Sequence, residues 1–278
     1  MTTTRLKIIA GCMIAIGLVF AIIGFASGGQ WYILKDNTGF YVPNEKTFVS
    51  QSYELDKFTK INISNEHSDI EILPSDRFSL EISAFETSDV TYVVKADTLT
   101  VKSRNKNENA MTIGLGPFKS PSIKIYVPKD VLLSNITVDS SFGDVNLQQL
   151  NYEQLNLDVR HGDISFNNIE AGYTEINNAF GDLTLHQFSS DSLVIESEHG
   201  DIDVTGELNG KTTISSSFGD VGLRLLNKKS DLGFVLSTFF GDLTVNDKDS
   251  GTKLSQLHEG NNQLEVSLSH GDLELSLK

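Results

Sequence analysis

Proline, cysteine and basic residues are scarce in this chain, and each scarcity excludes something. The 278 residues include 5 prolines and a single cysteine. One thiol, Cys12, permits neither an intramolecular disulfide nor a cysteine-based zinc site, so packing and ladder hydrogen bonds must hold the fold. Lysine and arginine total 22 against 37 aspartates and glutamates, a formal charge of −15. Nucleic acid is a poor partner for so acidic a surface. Catalytic signatures are missing as well: there is no nucleophile elbow, no HExxH zinc helix and no phosphate-binding loop. Apolar content, at 39%, is nevertheless ordinary for a folded protein, which argues against disorder throughout.

What the chain has in abundance is a repeat. Gly-Asp followed by Val, Ile or Leu returns at Gly143, Gly162, Gly181, Gly200, Gly219, Gly241 and Gly271, in steps of 19, 19, 19, 19, 22 and 30 residues. A period of that size marks stacked units. The residue before each glycine is an aromatic or imidazole ring: Phe142, His161, Phe180, His199, Phe218, Phe240 and His270. Apolar residues alternate with polar ones on both sides of the turn, as in Leu155 and Leu157 before Gly162, and Ile164 and Phe166 after it. That is strand periodicity. Each unit therefore reads strand, tight turn, strand, and the expected fold is all-β: a parallel β-solenoid or β-helix-like stack of about 19-residue repeats. A degenerate first rung runs from Lys60 to Leu73, with His67-Ser68-Asp69 at the turn and Ser68 in place of glycine. The final strand, from Asp272 to Lys278, should leave a sheet edge blunted only by Glu274 and Lys278.

The N-terminus has a different character. Arg5 and Lys7 precede an uncharged run, residues 8–29. At about 1.5 Å per residue those positions span about 33 Å, which suits one transmembrane helix. The preceding positive charges place residues 1–7 in the cytoplasm and the acidic remainder outside, with Trp31 and Tyr32 at the interface. Ala26-Ser27-Gly28 offers small residues for signal cleavage, but the length of the run favours an uncleaved signal-anchor. Cys12 follows a lipobox-like Ile9-Ala10-Gly11 yet precedes most of the apolar run. Residues 30–57 read as a stalk and N-terminal cap, and 58–278 as the extracytoplasmic repeat domain. Residues 103–122 break the rhythm and carry Met111, Ile113, Leu115 and Phe118, which either fold back or contact a partner.

The turn residues have a plain structural role. Glycine supplies positive φ, and aspartate bonds nearby backbone. Stacking would align Asp144, Asp163, Asp182, Asp201, Asp220, Asp242 and Asp272 in a column. Neighbouring charges about 4.8 Å apart repel by about 1 kcal/mol in water and about 3.5 kcal/mol at an effective dielectric of 20. Such a column must stay wet, bond to backbone N–H groups, or hold cations. Calcium suits oxygen ligands, but one carboxylate per rung is few and no Gly-Gly-x-Gly-x-Asp run is present, so no cofactor is expected, with structural calcium on these aspartates as the lesser alternative. The rings suit a stacking ladder, with a pH-sensing column of histidines as the bolder alternative. Identical residues at every rung also argue against catalysis, which needs one asymmetric constellation.

The N-terminal apolar segment, the strand region ending in Ile123-Lys124-Ile125-Tyr126-Val127-Pro128-Lys129-Asp130, and the repeated SxxGD-apolar turns together resemble a bacterial candidate-adhesin family of unknown function. These are cell-surface β-strand-repeat proteins, some similar to the LiaG type associated with envelope-stress operons. The resemblance covers residues 58–278. It implies a β-solenoid-like fold and an extracytoplasmic place, and it brings no catalytic residues. The expected function is that of a membrane-anchored, non-catalytic surface protein, adhesin-like or ligand-binding. The alternative is an accessory component of envelope-stress sensing that acts through a membrane partner.

Overall fold

The computed structural model describes residues 3–27, 32–36, 39–41, 48–85, 88–105, 111–114 and 120–278. They fall into two compact units, Met1–Phe48 with Asn107–Lys119, and Val49–Lys106 with Ser120–Lys278.

The smaller unit holds the helix Thr3–Ala26 and a three-stranded antiparallel sheet. In that sheet Tyr32–Asp36 lies between Gly39–Tyr41 and Met111–Gly114. The segment that interrupts the sequence rhythm thus returns as a strand, with Ile33 opposite Ile113 and Lys35 opposite Met111. Trp31, Leu115 and Phe118 lie outside the described residues. Apolar side chains of the helix are exposed, Met13 at 65% and Phe20 at 71%. Among the described residues no helix is long and apolar enough to cross a membrane.

The larger unit is a stack of rungs in a sheet that does not close. Four middle rungs are continuous runs, Val145–His161, Ile164–Phe180, Leu183–His199 and Ile202–Phe218. Each pairs in parallel with the next, Val145 opposite Ile164 and His161 opposite Phe180. Two corners divide every run into three short faces. At the first, Gln149, Asn168 and Gln187 take φ of 49°, 55° and 49°. Left-handed backbone turns the chain there without a loop. Between corners the period is two, and Leu183, Leu185, Phe188, Leu193 and Ile195 all point into the core. The fourth rung loses a residue at the first corner, where Gly206 faces Phe188, and regains it at the second, where Lys211 faces Ser192. The 19-residue period survives the irregularity.

Rung order in space departs from chain order at the C-terminus. After Leu225 the chain leaves the stack, and the Asn227 side chain stands in for a strand by accepting from Leu208 N–H (2.9 Å) and donating to Leu208 O (2.8 Å). The chain then skips one rung height and builds Gly233–Phe240 and Leu243–Val245. The last strands, Gln263–His270 and Leu273–Leu277, fill the skipped position and pair in parallel on both sides. The expected C-terminal sheet edge is therefore absent. Leu264, Val266, Leu268, Leu273 and Leu275 are buried, and a rung with that apolar face is best covered from above and below.

Antiparallel strands end the parallel array. At one end Ser88–Lys95 pairs with Thr98–Asn105, and Ser79–Phe85 with Ser122–Pro128. At the other, Lys253–Gln256 pairs with Gly233–Phe240.

Candidate functional site

All the Gly-Asp turns, together with His67-Ser68-Asp69, gather along one corner of the stack. Their rings form a column in the spatial order His67, Phe142, His161, Phe180, His199, Phe218, His270, Phe240, with successive centroids 4.7–5.1 Å apart. Imidazole and phenyl alternate without exception. Chain order hides this, because Phe240 precedes His270 in sequence while His270 sits between Phe218 and Phe240 in space. Each ring covers its neighbours' faces, so mainly edges meet solvent, as the 46% exposure of Phe142 and Phe218 reflects. Aromatic pairs of this kind contribute about 0.5–1.5 kcal/mol beyond area burial.

Beneath the rings the backbone is tightly stacked. Gly162 N–H donates to Phe180 O (3.0 Å), and Ile164 N–H to Asp182 O (2.8 Å). The carboxylates belong to the same ladder. Asp144, Asp163, Asp182, Asp201, Asp220, Asp272 and Asp242, in that spatial order, each donate their N–H to Oδ1 of the preceding aspartate, starting from Asp69, at 2.8–3.1 Å. Repulsion along the column is thus offset by one charge-assisted hydrogen bond per step. Among the described residues no group of three or more His, Cys, Asp or Glu is placed to hold a metal ion.

Asp69, at the head of this ladder, has its carboxyl held above the ordinary value, chiefly by burial, with the Asp144 N–H opposing and the Asp144 and Glu71 charges adding to the rise. The folded carboxyl binds its proton more tightly than the unfolded one. Its favourable contribution is therefore present at acid pH and is lost as pH rises through the unfolded and then the folded value. Asn at this position keeps the Oδ1 acceptor and removes the charge. Asp69→Asn is expected to raise stability at neutral pH and to have no effect at about pH 3, in urea unfolding at both.

A second feature lies beside the ring column, on the face that leads into each turn. Outward side chains two residues before the glycines run Arg160, Ala179, Glu198, Ser217, Ser269 and Phe239 in rung order. Those four before it include Asp158, Asn177, Glu196, Ser215 and Ser267. The short serines and Ala179 sink the surface into a trough of about 420 Å³ between longer charged side chains. A second depression, bordered by Thr137, Asp139, Asn156 and Glu175, adjoins it and shares Asp158 and Asn177. Sequence reading missed this trough. Apart from the serines on the last two of its rungs, its rows change residue type from rung to rung, so only the register reveals them.

Phe239 closes the row. It is 77% exposed and stands outside the ring column, meeting Phe240 edge-on at 86° and 4.7 Å. Of the four apolar residues expected either to fold back or to contact a partner, Met111 and Ile113 belong to the smaller unit's sheet.

No curated protein matches the chain. Among solved structures it is similar to a candidate cell adhesion protein from Clostridium sporogenes (13% identity, 83% of this chain and 100% of that one, TM-score 0.41). A candidate adhesin from Bacteroides fragilis is also similar (14%, 84% and 98%, TM-score 0.40), as is a candidate lipid-binding protein from Parabacteroides distasonis (12%, 83% and 98%, TM-score 0.34). Residues 58–221 match the Toastrack DUF4097 family, a span that covers the first rung and the regular array and ends at the strand where the chain leaves the stack. That match takes in more than half of the chain, which therefore belongs to the Toastrack DUF4097 family.

Proposed function

We propose that this protein is a non-catalytic, adhesin-like ligand-binding module at the cell surface, anchored by its N-terminal helix with the β-repeat unit outside. The observation that carries the reading is the polar trough, a concave surface of hydrogen-bonding side chains on a rigid multi-rung face. Its lining varies along the stack, from Asp158 and Arg160 to Ser267 and Ser269, while Gly-Asp recurs at every regular turn, so the turns serve as frame and the face as recognition surface. The anchor rests on the uncharged run 8–29 after Arg5 and Lys7, and on the exposed apolar side chains of the helix.

The test uses the full-length chain in lipid nanodiscs, probed against glycans, matrix proteins and whole cells. Binding is expected, and Ser217→Tyr, which fills the trough from a solvent-facing position, is expected to abolish it. Binding that survives Ser217→Tyr, or none to any probe, would remove the trough from consideration. Protease added to intact cells is expected to digest the repeat unit; full protection would place that unit inside. A second reading, an accessory role in envelope-stress sensing, draws on the pairing of Met111–Gly114 with Tyr32–Asp36, which ties the sequence interruption to the segment after the helix. Crosslinking in intact cells that recovers a membrane protein through residues 30–57 or 103–122 would favour it.

A further inference from the structure

We infer that the trough takes a linear, polyhydroxylated glycan, neutral or amino-bearing, lying along the stack axis. The inference rests on the proposed reading of this face as a ligand site and goes further in naming the ligand's chemistry and direction. Three observations lead to it.

The first is direction. The trough's row from Arg160 to Ser269 takes four rung steps, about 19 Å at a strand spacing of about 4.8 Å, and Phe239 stands one step further along the same row. A compact ligand would use one or two steps, whereas an extended β-linked glycan advances by close to one step per sugar.

The second is the chemistry of the lining. Ser217 and Ser269 each offer a donor and two acceptor lone pairs, Asn177 offers both functions, Glu196 and Glu198 accept, and Arg160 donates. That mixture matches hydroxyl groups, which donate and accept equally. An extended peptide would instead seek unpaired backbone at a sheet edge, and here the strands are bonded on both sides. Asp158, Glu196 and Glu198 outnumber Arg160, on a chain of net charge −15, so a uronic acid or sulfated polymer is disfavoured.

The third is Phe239. Rings inside the column have both faces covered by their neighbours and cannot stack on a sugar. Phe239 stands free of that column at the end of the row, as an exposed apolar surface beside hydroxyl-bearing side chains. A pyranose ring presents an apolar C–H face to such a ring and its hydroxyls to the serines.

The experiment is titration calorimetry of full-length protein in nanodiscs with β-linked oligosaccharides of two to six sugars, in neutral, amino-bearing and uronic acid series. Affinity is expected to rise with length up to about five sugars, in line with the five rung steps. The uronic acid series should bind at least about tenfold more weakly, because like charges meet across the trough. Phe239→Ala, at a solvent-exposed position, should leave the protein folded while removing the gain in affinity from the last sugars. Affinity that is independent of length, equal binding of acidic oligomers, or an inert Phe239→Ala would overturn the inference. Should no saccharide bind while another probe still binds in a Ser217→Tyr-sensitive way, the inference falls and the ligand-binding reading stands.

Discussion

Replacing Gly200 with alanine is expected to cost about 4 kcal/mol of unfolding free energy, the sum of backbone strain and overpacking. At φ 133° the residue lies where L side chains rarely go, and a Cβ there would sit 2.0 Å from Gly181 O and 2.6 Å from its carbon. Neither atom can yield, because both belong to the backbone of the next rung and Gly181 N–H is itself bonded to His199 O (3.1 Å). Separating the rungs enough to admit a methyl group would also lengthen the Asp201 to Asp182 bond and open the stack between His199 and Phe180. Gly251→Ala is the matched control. That glycine also has positive φ, 72°, but nothing lies within 4 Å of its added Cβ, so only strain of about 1 kcal/mol is expected. Urea unfolding followed by far-UV circular dichroism separates the two. Equal effects would mean that conformation, and not close stacking, explains the regular spacing of glycine within this chain.

The regular rungs were legible because everything that defines them is local or strictly periodic. Alternation in Leu183, Leu185, Leu193 and Ile195 marks inward positions, and the 19-residue step marks what stacks on what. Even the degenerate rung at His67-Ser68-Asp69 could be read, since its side chains keep their offsets when glycine is lost; its place next to Phe142 follows. Legibility ended where pairing ceased to follow sequence distance. Met111–Gly114 pairs with a strand some eighty residues earlier, and neither segment names the other. The trough escaped notice for a related reason: Arg160, Glu198, Ser217 and Phe239 share no type, and only register aligns them. For the last rung, chain order was actively misleading. The longer steps to Gly241 and Gly271 contain a skipped rung and a return, which step length alone does not distinguish from a longer loop. One clue was present. Strict His/Phe alternation is broken in sequence by Phe218 and Phe240 and is restored only when His270 lies between them.

That return makes the C-terminal segment a second place where a large effect is expected. Ending the chain at Asn262 removes the rung formed by Gln263–His270 and Leu273–Leu277, and with it five buried apolar side chains, Leu264, Val266, Leu268, Leu273 and Leu275. At about 2 kcal/mol each, their gross burial is about 10 kcal/mol, comparable with the whole stability of a typical domain. In a solenoid whose units touch only their neighbours, deleting a terminal rung would shave the stack by one unit. Here the deleted rung is internal. Gly233–Phe240 and Leu243–Val245 lose their parallel partners, Phe240 loses its stack on His270, and Asp242 N–H loses the Asp272 acceptor. Hydrogen exchange read by mass spectrometry is expected to show loss of protection throughout 233–256, although those residues remain in the chain, while 145–199 stay protected. The newly bared edge of Lys211–Phe218 and Val221–Leu225 should also make the truncated protein self-associate. Protection retained at 233–245 would show that this segment can dock directly on the Ile202–Phe218 rung. The last strands would then be an addition to the stack and not the rung that joins its two parts.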